Sequence, residues 1–70
     1  MSEALKITLE AARVNAHLKQ REAAEKLNIS VETLRNYETG KSSPTIEMTN
    51  RLCALYQFPA ENINFLYRQN

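Results

Sequence analysis

The sequence contains one cysteine, one histidine and one glycine among 70 residues, and it contains no tryptophan. Cys53 has no second cysteine with which to form an internal disulfide or a structural zinc site. His17, Cys53 and Gly40 are too few to build a catalytic triad, a metal cluster or a glycine-rich phosphate loop. We therefore expect no enzyme activity, no metal or other cofactor, and no small-molecule substrate.

Long apolar runs are also missing. No stretch approaches the roughly 18 apolar residues that a membrane span requires. Residues 1–6 are polar and lead into no apolar region of a secretory signal. We expect a cytoplasmic protein with no membrane partner.

An excess of charge of one sign is absent as well. Nine lysines and arginines face eight acidic residues, which gives a net charge of +1. A strongly basic domain is the usual sign of non-specific nucleic-acid binding. The distribution of charge matters more than its sum, so a nucleic-acid partner is not excluded.

The residues that are present indicate helices. Apolar periodicity predicts five helical segments and no strand, at about residues 9–16, 20–27, 31–39 and 46–57, with a short one after residue 59. Thr8, Ser30 and Thr45 suit the N-cap position, and Asn28 and Gly40 suit left-handed helix ends. We therefore expect a single domain of residues 1–70, with its core formed by residues 7–66. A chain of this size buries only about 60% of its unfolded surface.

The apolar face of the fourth helix is expected to lie in the core. Its members are Ile46, Met48, Leu52, Cys53, Leu55 and Tyr56. Cys53 is best interpreted there as a small buried hydrophobic residue. The last segment carries Ile63, Phe65, Leu66 and Tyr67, which we expect either to cover the core or to form a subunit contact.

The third helix has two unlike sides. At about 100° per residue, Leu34, Tyr37 and Glu38 share one side. The opposite side, named here the outer face, consists of Val31, Glu32, Arg35 and Asn36. This face suits recognition of something outside the protein, and a solvated face of an ordinary surface helix is the alternative. On the first helix, the same construction places Arg13 at the interior margin.

Many residues together form a known pattern: Arg13, Gln20, Glu22, Ala24, Lys26, Leu27, the turn Asn28-Ile29-Ser30, Leu34, Tyr37, Glu38, Gly40, Lys41, Pro44 and the leucine-rich fourth helix. Residues 7–65 thereby resemble the helix-turn-helix domain of Cro/CI-type (XRE) transcriptional regulators, especially small phage regulators. The resemblance implies an all-α, five-helix, lambda-repressor-like DNA-binding domain with its helix-turn-helix at about residues 20–39. Two departures are Lys19, where a capping Thr or Ser is usual, and His17, where glycine is common.

The resemblance makes residues 31–39 the recognition helix, which lies in the major groove. Arg35 then suits guanine and Asn36 suits adenine, because each side chain matches two groups on the edge of that base. Glu32 suits cytosine and Val31 suits the thymine methyl group. Two alternatives for Glu32 stay open: an ion pair with Arg35, or repulsion of phosphate in a wrong register.

Contacts to the DNA backbone are expected on both sides of that helix. The predicted phosphate contacts are Lys19, Gln20, Arg21, Ser30, Thr33, Lys41, Ser42 and Ser43. Gln20 matches a glutamine that binds the DNA backbone in this family, and the first turn of a helix independently suits a phosphate oxygen. Arg21 has an alternative ion pair with Glu25. The resemblance also implies a structural ion pair between Arg13 and Glu38.

These expectations describe a small Cro-like regulator that binds a double-stranded DNA operator and acts, as a repressor, by occupying it. We expect it in the bacterial cytoplasm or nucleoid, and a prophage origin is open. A homodimer is one arrangement, with Phe58, Ile63, Phe65 and Tyr67 as candidate contacts, and a monomer is the other. The alternative function is a protein-interaction module on the same fold, such as an antitoxin or an adaptor.

Overall fold

Four α-helices make up most of residues 6–65, the part of the chain that the structure, a computed structural model, describes. The elements are β1 (Ile7–Thr8), α1 (Leu9–Asn15), α2 (Gln20–Leu27), α3 (Val31–Thr39), α4 (Ile46–Tyr56), a 3₁₀ turn (Ala60–Asn62) and β2 (Ile63–Asn64). The predicted helical architecture is therefore correct, but the count of five helices is wrong. The segment after Pro59 forms one 3₁₀ turn and a short strand. Leu66 and Tyr67 lie outside the described residues.

The two short strands form a parallel pair that the periodicity did not predict. Ile7 lies opposite Ile63, and Thr8 lies opposite Asn64. The expectation of no strand was therefore wrong. Strands of two residues are too short to show an alternating pattern in the sequence. The pair joins the two ends of the described region beside α1. Ile63 is buried within its own chain at 4% exposure, which removes it from the candidate dimer contacts.

Side-chain caps define the start of three helices, as the sequence predicts. The hydroxyl groups of Thr8, Ser30 and Thr45 each accept a hydrogen bond from the backbone N–H three residues further on. Lys19 precedes α2 and makes no such bond. Instead, the Glu22 carboxylate accepts the Lys19 backbone N–H at 2.8 Å, and the lysine side chain is exposed.

A left-handed residue follows each helix. His17, Asn28 and Gln57 have φ values of 62°, 61° and 54°, and Gly40 has 80°. Only Gly40 adopts this conformation without steric cost, since the left-handed region costs other residues about 1–2 kcal/mol. His17, which stands where glycine is common in the family pattern, adopts the conformation that a glycine would take without this cost. The reversals between helices are therefore fixed by backbone geometry at defined positions.

The core lies where the four helices meet. Its buried members are Leu9, Ala12, Ala23, Ala24, Leu27, Leu34, Leu52, Tyr56 and Ile63. Ile46 was expected among them and is 83% exposed, because the start of α4 is uncovered: Thr45 and Glu47 beside it are exposed as well. Cys53 was expected to be buried and is only half-buried. Its partial burial raises the pKa of the thiol above its ordinary value.

Candidate nucleic-acid interface

The helices α2 and α3 are joined by a three-residue turn with a fixed backbone. The N–H of Asn28 donates to the Glu25 carbonyl at 3.1 Å, and the N–H of Ile29 donates to the Ala24 carbonyl at 3.0 Å. Ser30 then begins α3 as its N-cap. Leu27 and Leu34, one on each helix, are both fully buried. Together, α2, this turn and α3 form a helix-turn-helix unit.

The two sides of α3 differ in burial. Leu34 and Glu38 are buried, and Tyr37 packs against the core from a half-buried position. On the outer face, Glu32 and Arg35 are exposed, whereas Val31 and Asn36 are half-buried. Most of the accessible polar groups on the outer face thus belong to one carboxylate and one guanidinium group, and the other two side chains are less accessible.

The charges on the outer face are not neutralised by one another. Among residues 6–65, the ion pairs within 4.0 Å all involve Arg13, so Glu32 and Arg35 form none. The same holds for Arg21 and Glu25, the other alternative pair raised by the sequence. These exposed groups are therefore available to an external partner.

Arg13 and Glu38 hold α3 against α1 from the inside. Arg13 Nε donates to Glu38 Oε2 at 2.7 Å, and its Nη2 donates to Oε1 at 3.3 Å. The two side chains are only 10% and 4% exposed. Arg13 Nη1 also donates to the Leu18 carbonyl at 2.9 Å, and Glu10 lies 3.9 Å from Nη2. The structure thus brings together the two charges that the resemblance paired.

This contact also favours the charged form of Arg13. Burial acts to lower the pKa of its guanidinium group. Hydrogen bonding and Coulombic attraction to Glu38 outweigh burial and raise that pKa above its ordinary value. Arg13 is therefore a permanent cation, which suits a residue that fixes helices rather than one that titrates.

Gln20 joins the same group from the start of α2. Its Nε2 donates to Glu38 Oε1 at 2.9 Å in a partly buried position. An ionised carboxylate only accepts hydrogen bonds, so the contact determines which way the Gln20 amide points. One N–H of the amide remains for another acceptor. The sequence did not reveal this bond, because its partners are 18 positions apart.

The hydroxyl groups of Ser30 and Thr33 are linked to each other. Ser30 Oγ accepts the Thr33 backbone N–H at 3.0 Å and donates to Thr33 Oγ1 at 2.8 Å. Ser30 is thereby occupied as the N-cap of α3. Thr33 keeps its own O–H as a donor at the edge of the outer face.

The loop after α3 is exposed, but its first N–H groups are already used. The Asn36 carbonyl accepts the backbone N–H groups of Lys41 and Ser42 at 2.9 and 3.2 Å. The side chains of Lys41, Ser42 and Ser43 are exposed. At the start of α2, which precedes α3 in the chain, Lys19 and Arg21 flank Gln20 in the sequence and are both exposed. At Lys41 and Ser42, contact with a DNA phosphate would therefore come from the side chains, because the backbone N–H groups are already bonded.

Tyr56 packs beneath the Arg13–Glu38 pair. Its hydroxyl oxygen is buried and has no hydrogen-bond partner among residues 6–65. Burial, and to a lesser degree the charge of Glu38, raises the pKa of Tyr56 to about 12, while Arg13 acts in the opposite direction. Tyr56 is therefore neutral at physiological pH.

Residues 6–65 hold no group of three or more histidine, cysteine or acidic side chains placed to bind a metal ion. Within the same range, none of the helices has the length and apolar character needed to cross a bilayer.

Together, the fold and this interface define a helix-turn-helix DNA-binding protein. A family model described as "Helix-turn-helix" matches residues 9–62, from the start of α1 to the 3₁₀ turn. Comparison with curated proteins gave no significant match, nor did comparison with solved structures. The chain belongs to the XRE-type, Cro/CI-like family of helix-turn-helix transcription regulators.

Proposed function

We propose that this protein is a small regulator that binds a specific double-stranded DNA operator with α3 in the major groove, and that it represses transcription by occupying that operator. One observation carries the proposal. The outer face of α3 offers exposed Glu32 and Arg35 without partners among residues 6–65, while Leu34 and Glu38 fix the inner side. A rigid helix with unsatisfied polar groups facing outward is what direct reading of base edges requires.

Each residue of the outer face has a distinct role in the proposal. Arg35 donates two hydrogen bonds to O6 and N7 of guanine, and Asn36 pairs with adenine. Glu32 accepts a hydrogen bond from N4 of cytosine, and Val31 packs on a thymine methyl group. The exposure of Glu32 and Arg35 makes them the main readers, and the half-buried Val31 and Asn36 add shorter contacts.

Phosphate contacts then set the register of α3 on the duplex. Gln20 uses its remaining amide N–H, and Thr33 uses its free O–H, each donating to a phosphate oxygen. Ser30 takes part mainly by orienting Thr33. The side chains of Lys19, Arg21, Lys41, Ser42 and Ser43 complete the set.

A homodimer would place two such helices about one turn of DNA apart. Phe58 and Phe65 remain candidate contacts, since both are only half-buried, whereas Tyr67 lies outside the described residues. As a DNA-bound regulator, the protein would act in the bacterial cytoplasm or nucleoid.

The experiment is selection of duplexes from a random library, followed by affinity measurements over a range of salt concentrations. The proposal predicts one enriched sequence and an affinity that falls with a log–log slope of about 0.9 per neutralised phosphate. A protein-interaction module such as an antitoxin or an adaptor would enrich no sequence. Its apolar interface would also show little dependence on salt. Either of those two results would contradict the proposal.

A further inference from the structure

Arg51 reaches from α4 to the end of α2, the point at which the turn of the helix-turn-helix begins. Its Nη2 donates to the Leu27 carbonyl oxygen at 2.8 Å in a partly buried contact. Leu27 is the last residue of α2 and is 2% exposed. No carboxylate of residues 6–65 lies within 4.0 Å of Arg51. One N–H of the guanidinium group thus binds a backbone carbonyl, and the group forms no ion pair among these residues.

That carbonyl needs a partner from outside its own helix. The last four carbonyl groups of a helix lack intrahelical donors. At the end of α2, the N–H groups of Asn28 and Ile29 go to the Ala24 and Glu25 carbonyls and not to Leu27. A cation at this position also interacts favourably with the negative end of the helix dipole. Arg51 supplies both the hydrogen bond and the charge.

The position of this contact connects it to α3. Only Asn28, Ile29 and Ser30 separate Leu27 from the start of α3, and Asn28 is left-handed. A shift of the Leu27 carbonyl would therefore move the first turn of α3, because so few residues lie between them. Arg13 holds the far end of α3 through Glu38. Arg51 contacts the residue that precedes the turn at the near end.

We propose that Arg51 is a positioning residue for DNA recognition: it fixes the end of α2 against α4 and thereby sets the angle at which α3 enters the groove. This inference rests on the proposed function. It assigns Arg51 no contact with DNA, although an exposed arginine on a DNA-binding domain would ordinarily be taken as a phosphate ligand.

The test compares Arg51→Met, Arg51→Lys and Lys26→Met on the duplex selected by the wild-type protein and on a scrambled duplex. Lys26 is the matched control, because it is an exposed cation in the last turn of α2, the helix whose end Arg51 contacts. Measurements are made well below the unfolding temperature of each variant. Arg51→Met should lower the ratio of selected to scrambled affinity by about tenfold, the size of one weakened base contact.

The salt dependence separates positioning from direct contact. Arg51→Met should leave the log–log salt slope unchanged, whereas loss of a phosphate contact would reduce it by about 1. Arg51→Lys should recover part of the specificity, since an ammonium group also donates to a carbonyl. Lys26→Met should keep the wild-type ratio. An equal loss on both duplexes with a reduced slope, or a lower unfolding temperature with unchanged DNA binding, would overturn the inference.

Amide NMR spectra of the protein without DNA test whether Arg51 fixes the turn, independently of whether the protein binds DNA. Arg51→Met should move the amide signals of residues 28–31 much further than Lys26→Met does. If the wild-type protein enriches no duplex, the proposed function fails, and the free spectra still decide whether Arg51 fixes the turn. Unmoved signals at residues 28–31 would show that it does not.

Discussion

Gln20 and Glu38 are joined by a 2.9 Å hydrogen bond from Nε2 to Oε1 that connects the first residue of α2 to the buried side of α3. The same carboxylate accepts two hydrogen bonds from Arg13 on α1. One acidic side chain therefore holds three helices together. Gln20, the proposed ligand of the DNA backbone, is therefore oriented by the same residue that fixes α3 against α1.

Replacing Gln20 tests this shared carboxylate. Gln20→Glu removes the donor and places a second carboxylate against Glu38, so we expect the free energy of unfolding at pH 7 to fall by about 1–3 kcal/mol. Gln20→Ala is the matched control and should cost less, because it introduces no like charge. Urea unfolding measures both. A Gln20→Glu variant as stable as the wild type would show that the contact is not maintained.

The Arg13–Glu38 pair should be costly to break from one side. Arg13→Met leaves the Glu38 carboxylate buried without its cation, and we expect a loss of about 3–5 kcal/mol in the free energy of unfolding. The double variant Arg13→Met with Glu38→Leu should regain a large part of that loss, since it leaves no buried charge. A double-mutant cycle by denaturant unfolding gives the coupling. A single-variant loss below about 1 kcal/mol would contradict the buried geometry.

Tyr56 should make the protein sensitive to alkaline pH. Its pKa is about 12 in the folded state and about 10 in an unfolded chain. Between those values the folded state holds more protons, so the free energy of unfolding falls as pH rises through this window and is unaffected near pH 7. Over the whole window, the free energy of unfolding should fall by about 2–3 kcal/mol.

The variant Tyr56→Phe isolates that contribution. It should lose less stability between pH 10 and 12 than the wild type. At pH 7 it should be close to neutral or slightly stabilising, because the hydroxyl it removes is buried without a partner among residues 6–65. Tyr37→Phe, at a half-buried tyrosine on α3, serves as the control and should keep the alkaline loss. Parallel pH profiles for wild type and Tyr56→Phe would rule out this role.

Arg35 and Lys41 should differ in how they affect DNA binding. Arg35→Ala should relax specificity at one base pair at a cost of about 1–3 kcal/mol, because it removes a base contact. Lys41→Ala should weaken all sequences alike and reduce the salt slope by about 1, because it removes a phosphate contact. Affinities for the selected and scrambled duplexes measure both effects. Equal losses on the two duplexes for Arg35→Ala would refute its role as a reader.

The features predicted correctly from the sequence are those with local causes. Thr8, Ser30 and Thr45 were identifiable as N-caps because a cap depends only on residues within one helical turn. Asn28 was identifiable as a left-handed helix end for the same reason, because that conformation depends on the residue itself and on the end of its own helix. The burial of Glu38 was indicated by its position on the helix and by the family pattern.

The features that were missed depend on residues far apart in the chain. The pairing of Ile7 with Ile63, the bond from Gln20 to Glu38 and the bond from Arg51 to Leu27 leave no periodic signal. Ile46 was misplaced for a related reason. A helical wheel gives the side of a helix on which a residue lies, but not whether another helix covers that turn.

The central claim is that the outer face of α3 enters the major groove. The direct measurement is a titration of ¹⁵N-labelled protein with the selected duplex, followed residue by residue. The account predicts the largest changes at Val31, Glu32, Arg35 and Asn36, with smaller ones at Gln20, Thr33 and Lys41. Binding that leaves the signals of residues 31–36 unchanged would contradict it.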